Sequence, residues 1–239
     1  MFPNGRRLAT ERIDTYPSRV NPVVSIVIPT LNRPDLLLTR SLPSVRNQTY
    51  QNLDIHIIGD GVLHYSDMRI LWGLPNDPRV RYTNRPAQKY PPDSYDAWLV
   101  SGSAAVNHGI DTAKGEWICC CADDDEMTPA YIETLLGFAE RYGFGAVYCP
   151  VEVLGAIFPR ARREGDKVVL GTWPPTPAGQ SYPLLWRKNN LRYSTDCWTT
   201  KTPNDWDFWT RMMNAGVRFG YYAEPLFRFH PSVRQAVSE

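Results

Sequence analysis

The chain holds 239 residues with 26 Lys and Arg against 25 Asp and Glu, a formal net charge of +1. That balance supplies no field to gather nucleic acid, and 43% hydrophobic with 21% charged residues describes an ordinary globular chain of one large domain or two small ones. No apolar run approaches the roughly 20 residues that span a bilayer. The start, Met1-Phe2-Pro3-Asn4-Gly5-Arg6-Arg7, lacks the apolar segment of a secretory signal, so a cytoplasmic location is expected, with peripheral membrane contact left open. Five cysteines are present. Cys119, Cys120 and Cys121 are adjacent in a strand-like run, point to alternate faces and so read as small core residues in a reducing compartment.

Residues 1–21 lack periodicity and read as an arm. Val23 to Pro29 is a short, nearly continuous apolar run, the pattern of a strand buried on both faces. Asn32-Arg33-Pro34-Asp35 then opens a helix, with Leu36, Leu37, Leu42 and Val45 on its apolar face. Leu53 to Ile58 is a second strand, ending in Gly59-Asp60-Gly61. A weaker helix (67–72), a short strand (80–82) and a helix over 98–113 broken at Gly115 follow. Next comes the strand Trp117-Ile118-Cys119-Cys120-Cys121, which runs into Asp123-Asp124-Asp125-Glu126. A helix opening at Thr128-Pro129 and running to about Tyr142 precedes a buried strand over 146–153. Residues 155–200 carry Pro, Arg, Trp and Tyr without a long periodic element. The Arg160-Ala161-Arg162-Arg163 cluster, followed by Glu164 and Asp166, reads as a solvated loop. A last helix (204–215) leads to a strand pair, 218–222 and 225–229. Alternating strands and helices imply a mostly parallel α/β sheet.

Four consecutive carboxylates at a strand end have two readings. Like charges this close raise one another's pKa unless a cation sits among them, so the cluster suits a hard divalent metal that keeps positions open for phosphate oxygens. Alternatively it caps the helix near Pro129, where acids oppose the helix dipole. It is not an EF-hand, because Met127 and Thr128 stand where an oxygen ligand and a Gly are needed.

Three strand tips are polar: Pro29-Thr30-Leu31-Asn32, Gly59-Asp60-Gly61 and Asp123 to Glu126. In a parallel sheet they share the edge at which open α/β sheets bind ligands. A hydroxyl, an amide and a carboxylate suit a base and a ribose. Taken singly, Asn32 is a helix cap and Asp60 a turn residue. No G-x-x-x-x-G-K-[ST] occurs, and Gly59-Asp60-Gly61-Val62-Leu63-His64 has His where a dinucleotide fingerprint needs its third Gly.

Several segments together resemble the family 2 glycosyltransferases of GT-A fold. They are Val24-Ser25-Ile26-Val27-Ile28-Pro29-Thr30-Leu31-Asn32-Arg33, Ser44 to Tyr50, Ile57 to Gly61, Asn107-His108-Gly109 through Glu116, Asp123-Asp124-Asp125, and Asn204-Asp205-Trp206-Asp207-Phe208-Trp209 with Arg211. In order and spacing they span residues 23–230. The resemblance implies one domain over 22–239, with a nucleotide-sugar half (22–126) and an acceptor half (127–239). It implies inverting transfer of a sugar from a nucleoside diphosphate donor, usually UDP-linked, to a saccharide or other hydroxyl acceptor.

Under that resemblance Pro29, Thr30, Asn32, Arg33, Asp60, Asn107, Asp123 and Asp124 fall at nucleotide contacts. Asp123 and Asp125 are the outer residues of an Asp-x-Asp motif for Mn²⁺ or Mg²⁺, with His230 as a further metal ligand or diphosphate contact. Asp205 matches the catalytic base, the group that deprotonates the acceptor hydroxyl; its plainer reading is an acid in a helix first turn. Two departures are Asn204, where the family has Glu, and Val106, where many members have Arg. Arg228 and Arg234 are candidates for phosphate contact or ordinary surface. Trp173, Tyr182, Trp186, Tyr193, Trp198 and Trp206 offer faces for an acceptor sugar, and at least half of them read as core. Two rivals remain open: a nucleotide-sugar-binding protein without catalysis, and a sugar-1-phosphate nucleotidyltransferase, whose Gly-rich, Arg-containing opening loop is not Pro29-Thr30-Leu31-Asn32.

Overall fold

A computed structural model describes residues 21–158, 163–164, 167–168 and 183–230. Strand β1 (Val24–Thr30) is followed by α1 (Pro34–Leu36), a π-helical turn (Leu37–Ser41) and α2 (Leu42–Arg46). The π turn has a cause in the sequence. Pro43 has no N–H to give the carbonyl four residues back, and the ladder widens ahead of it. Next come β2 (Leu53–Asp60), α3 (His64–Gly73), β3 (Val80–Arg85), α4 (Ser94–Leu99), α5 (Ser103–Thr112) and β4 (Trp117–Cys120). The second half runs β5 (Glu126–Met127), α6 (Tyr131–Tyr142), β6 (Ala146–Tyr148), β7 (Val151–Val153), β8 (Ala156–Phe158), β9 (Arg163–Glu164), β10 (Lys167–Val168) and β11 (Leu184–Arg187). A 3₁₀ turn (Cys197–Thr200), α7 (Asn204–Asn214), β12 (Phe219–Tyr221) and β13 (Phe227–Phe229) complete it.

The main sheet has seven strands in the order β12-β6-β11-β4-β1-β2-β3. Pairings β1–β2, β1–β4, β2–β3 and β6–β12 are parallel, whereas β11 lies antiparallel between β4 and β6. Every residue of β2 and all but one of β1 are buried, Asp54, His56 and Asp60 of β2 included. Ile26, Ile28, Ile55, Ile57, Trp117, Ile118 and Trp186 form the centre of one continuous core. Helix α5 lies directly on β1 at Gly109, where a Cβ would collide with the Val27 side chain. A second sheet, β5-β13-β7-β8, underlies the acidic loop.

Four expectations are corrected. The helix over 98–113 is two helices, because Gly102 takes φ 70° and breaks the helical path between α4 and α5. The strand over 146–153 is also two, interrupted at Pro150, with β6 in the main sheet and β7 in the second. The segments 218–222 and 225–229 are not partners: β12 extends the main sheet beside β6, and β13 pairs with β5 and β7. The irregular stretch 155–200 supplies β11, a strand in the middle of the main sheet. Its four apolar-rich residues are too short a run to show periodicity.

The cysteines behave as expected. All five are free, and Cys119, Cys121, Cys149 and Cys197 are buried. Among the described residues no helix is long and apolar enough to cross a membrane.

Candidate active site

The carboxyl ends of β1, β2 and β4 point the same way, so the three polar tips share one edge of the sheet. Thr30 at the end of β1 donates its hydroxyl to Asp123 Oδ2 at 2.7 Å. Asn32 sits at φ 52°, a left-handed conformation that Asn tolerates, and its side-chain oxygen accepts the Leu63 N–H at 2.7 Å. Arg33 turns back across the acidic loop. Its guanidinium hydrogen-bonds Asp123 Oδ2 through Nε at 3.2 Å, faces Asp123 Oδ1 as an ion pair and reaches Asp124 at 2.5 Å. Asp123 Oδ1 has that ion-pair contact but no aligned hydrogen bond. Arg40 ties down the same loop through the Asp124 carbonyl at 2.9 Å.

Burial dominates the electrostatics here. It raises the Asp123 carboxyl to about 6 against the opposing pull of Arg33 and Thr30. It raises Asp125 to about 8, with the His230 backbone N–H pulling the other way and Asp124 and Asp123 adding repulsion. Both carboxylates lack enough positive charge, the condition that a cation would relieve.

The acidic cluster does not cap α6. That helix begins at Tyr131 behind Ala130, and the acid in its first turn is Glu133. The cluster's own turn is shaped by partners from elsewhere. The backbone N–H of His230 donates to Asp125 Oδ1 at 3.0 Å, while the His230 ring pairs with Glu126 at 2.9 Å. Among the described residues no three His, Cys, Asp or Glu side chains converge as a closed metal site. The two buried carboxylates of Asp123 and Asp125 are oxygen donors that suit a Mg²⁺- or Mn²⁺-type ion drawing its other ligands from phosphate and water, and they do not make a cage held by protein alone.

Asp60 is buried and already engaged. It accepts the Gln88 N–H at 3.0 Å and the Tyr90 hydroxyl at 2.6 Å, and it pairs with Arg85, its register neighbour on β3. That leaves about one of a carboxylate's four acceptor positions. Arg85, Gln88 and Tyr90 were not legible as site residues, because only the register of β3 brings Arg85 to Asp60 and only the course of the loop after β3 brings Gln88 and Tyr90 there.

Asn107 is likewise spent within the protein, holding the Tyr193 backbone in both directions at 2.7 and 2.8 Å. It anchors the segment after β11 to α5. Asn204 binds the Ser101 carbonyl at 2.9 Å and the Ser103 hydroxyl at 2.8 Å, a fastening job that an amide donor performs and a carboxylate could not.

A cleft of about 160 Å³ opens beside these tips. Pro29, Ala122 and Asp125 line it from the sheet edge, Ser101 and Val106 from the α5 side, and Asn204, Asp205 and Trp209 from α7. Asp205 thus faces the same cleft as Asp125, from the other half of the chain. Its Oδ1 accepts the N–H of Trp206 at 2.8 Å, which fixes the carboxylate in the first turn of α7. Asp207 pairs with Arg211 one turn on, at 2.7 Å, and takes the structural role.

Of the aromatic residues, Trp186 is buried core and Tyr193 stacks on Phe208 at 4.3 Å, so each contributes at most an edge to the cleft. Trp198 and Trp206 are half-buried. Arg228 pairs with Glu152 at 3.3 Å. Trp173, Tyr182, Arg234 and residues 160–162 of the basic cluster lie outside the described residues.

A mostly parallel sheet with ligand groups on one edge and an acidic loop after β4 is the arrangement of the GT-A glycosyltransferases. Solved structures agree on the fold. The chain superposes on Staphylococcus aureus TarS (residues 1–349, in complex with UDP) with a TM-score of 0.63 at 14% identity, over 87% of this chain and 60% of that one. It superposes on the Pyrobaculum calidifontis mannosyltransferase PcManGT, in complex with GDP-Man and Mn²⁺, with a TM-score of 0.63 at 16% identity, over 90% and 59%.

The family model described as glycosyl transferase family 2 matches residues 25–213, and the chain belongs to that family. It is 32% identical over 122 residues to the putative colanic acid biosynthesis glycosyl transferase WcaA of Escherichia coli, covering 51% of this chain and 39% of that protein. It is 28% identical over 128 residues to the GalNAc(5)-diNAcBac-PP-undecaprenol beta-1,3-glucosyltransferase of Campylobacter jejuni, covering 51% and 38%. The chain therefore spans about two fifths of the length of these two relatives. Membership removes the nucleotidyltransferase rival.

Proposed function

We propose that this glycosyltransferase is metal-dependent and inverting, and moves a sugar from a nucleoside diphosphate donor, UDP-linked in the first instance, to a hydroxyl of a saccharide acceptor. One observation carries the reading: Asp125 and Asp205 line one cleft from opposite halves of the chain. Single displacement with inversion needs that division, with charge neutralisation on the departing diphosphate and a base on the far side of the sugar.

In this reading residues 22–126 hold the donor and 127–239 the acceptor. Thr30, Asn32 and Asp123 lie at the nucleoside end, and Pro29 forms the floor between nucleoside and cleft. Arg33 and Asp124 sit where the diphosphate enters. Asp123 and Asp125 would hold Mn²⁺ or Mg²⁺, which when bound supplies Lewis-acid stabilisation of the leaving diphosphate. Asp205 takes the proton of the acceptor hydroxyl as that oxygen attacks the anomeric carbon, and a wall of buried Trp209 and Trp186 with part-buried Tyr193 keeps bulk water from competing.

The relatives' names support a sugar-transfer role, and the UDP and GDP-Man complexes show what the fold accommodates in other proteins. Titration calorimetry of UDP with and without Mn²⁺, followed by an assay of slow UDP-sugar hydrolysis, tests the reading. Metal-enhanced UDP binding with hydrolysis is expected. Binding without any turnover would point to a donor-binding protein that lacks catalysis, and no metal-enhanced UDP binding would overturn the reading.

A further inference from the structure

Two exposed aromatic residues stand outside the site as described. Tyr95 and Trp98 project from α4 with 55% and 43% of their surface open, and their rings are stacked, 5.8 Å between centroids and 25° between planes. Single exposed aromatics need no explanation. A pair held together on a rigid mount is different.

The mount is fixed from three sides. The Asp93 side chain caps α4, accepting the N–H groups of Tyr95 and Asp96 at 2.9 and 3.0 Å. Asp96 turns inward to Lys201 at 2.5 Å, and Leu99 is buried. With Asp96 and Leu99 committed to the interior, Tyr95 and Trp98 must face outward, because positions three apart share a helix face.

The mount also adjoins the cleft. The Trp98 carbonyl accepts the N–H of Ser101 at 3.1 Å, and Ser101 lines the cleft opposite Asp205. Asn204, the neighbour of Asp205, is hydrogen-bonded to the Ser101 carbonyl. The helix that carries the aromatic pair is thus one turn of chain away from a residue that lines the cleft.

We infer that Tyr95 and Trp98 form a stacking platform for a sugar ring of an extended saccharide acceptor, one or more units removed from the hydroxyl that receives the new sugar. The inference rests on the glycosyltransferase reading of the cleft. A pyranose presents a C–H face that packs on an aromatic plane, and its hydroxyl rim stays in water. A half-open aromatic pair one turn of chain from a cleft residue offers such a face. A fully buried pair such as Trp186 and Phe208 does not.

Saturation-transfer NMR with cellotetraose, maltotetraose and chitotetraose as probes tests the platform on the whole chain. At least one probe is expected to receive saturation from the protein. The double variant Tyr95→Ala, Trp98→Ala should weaken that probe's binding about tenfold or more, while Tyr95→Phe, Trp98→Phe restores it and UDP titrates as in the parent. Both variants change exposed side chains, and equal melting temperatures would confirm that the fold is kept.

Silence from all three probes, or transfer indifferent to the alanine changes, would overturn the platform. Failure of the parent protein to bind UDP with the sugar signal intact would instead count against the proposed function, so the two failures are distinguishable.

Discussion

Thr30 and Asp123 join the tips of two neighbouring strands through one buried hydrogen bond of 2.7 Å. The residues are 93 positions apart in sequence, yet β1 and β4 are adjacent parallel strands, and the bond sets the angle at which the acidic loop leaves the sheet. Arg33, three residues after Thr30, closes over the same carboxylate. The opening segment of the chain therefore positions the acidic loop as well as contributing groups of its own.

Replacing Thr30 by Val keeps the shape and removes the hydroxyl. Asp123 Oδ2 then keeps only Arg33, at 3.2 Å, as a side-chain donor. A buried acceptor stripped of a partner costs about 1–3 kcal/mol. For a chain of this size that corresponds to a drop of roughly 2–4 °C in melting temperature per kcal/mol. An unchanged melting curve would show that the bond does not restrain the loop.

Asp125→Asn separates charge from geometry. The amide keeps an oxygen to accept the His230 N–H, so the contact between the acidic loop and the end of β13 survives. What is lost is the carboxylate's capacity to carry negative charge against a cation in the cleft. UDP affinity in the presence of Mn²⁺ should fall by about tenfold or more, toward the value measured with chelator, where parent and variant should agree. Calorimetry reads both, and undiminished affinity with Mn²⁺ would remove Asp125 from the metal site.

Asp205→Asn addresses the base. Its Oδ1 still accepts the Trp206 N–H, so the start of α7 is preserved. Proton removal from the acceptor is lost, and kcat should fall by roughly 10²–10⁴ while UDP binding is unchanged. A turnover rate close to that of the parent would exclude Asp205 as the base.

The sheet's frame was legible because buried parallel strands announce themselves. Val24 to Pro29 is apolar but for Ser25, Leu53 to Ile58 carries Leu and Ile around Asp54 and His56, and each ends in a polar tip whose residue types advertise ligand chemistry. What was hidden is what register and long-range contact decide. The sequence contains nothing that sets Arg85 across from Asp60, or the Asn107 amide on the Tyr193 backbone. Both are side chains whose apparent role changes once their partners are seen. The β11 strand escaped for a different reason: four residues sandwiched antiparallel between β4 and β6 are specified by the slot they fill and not by a pattern of their own. Likewise, Gly102 inside a helical pattern marked the break between α4 and α5, and residue type alone did not distinguish that from a tolerated helical glycine.

The last prediction concerns the interior of β2, ahead of its polar tip and away from the acidic loop. His56 is buried between Thr112, whose hydroxyl lies 3.0 Å from Nδ1, and the pair Thr83 and Arg81, at 2.9 and 3.2 Å from Nε2. The Thr112 hydroxyl already donates to the His108 carbonyl at 2.8 Å, which leaves its oxygen to accept from a protonated Nδ1. Nε2 then accepts from Arg81 or Thr83, and the ring is neutral. Burial first, and Arg81 second, push its pKa down from 6.5 to about 4, with Asp54 opposing and His108 and Lys114 adding to the shift. Between those two values the unfolded chain binds a proton at this position that the folded chain refuses, so stability rises with pH through that window. The contribution is complete above pH 6.5 and is lost as the pH falls toward 4. Melting temperature followed from pH 7 to pH 4 should therefore decline more steeply in the parent than in His56→Gln, whose amide does not titrate. Parallel curves for the two proteins would show that the ring is already charged in the fold, and would contradict the neutral arrangement of its three partners.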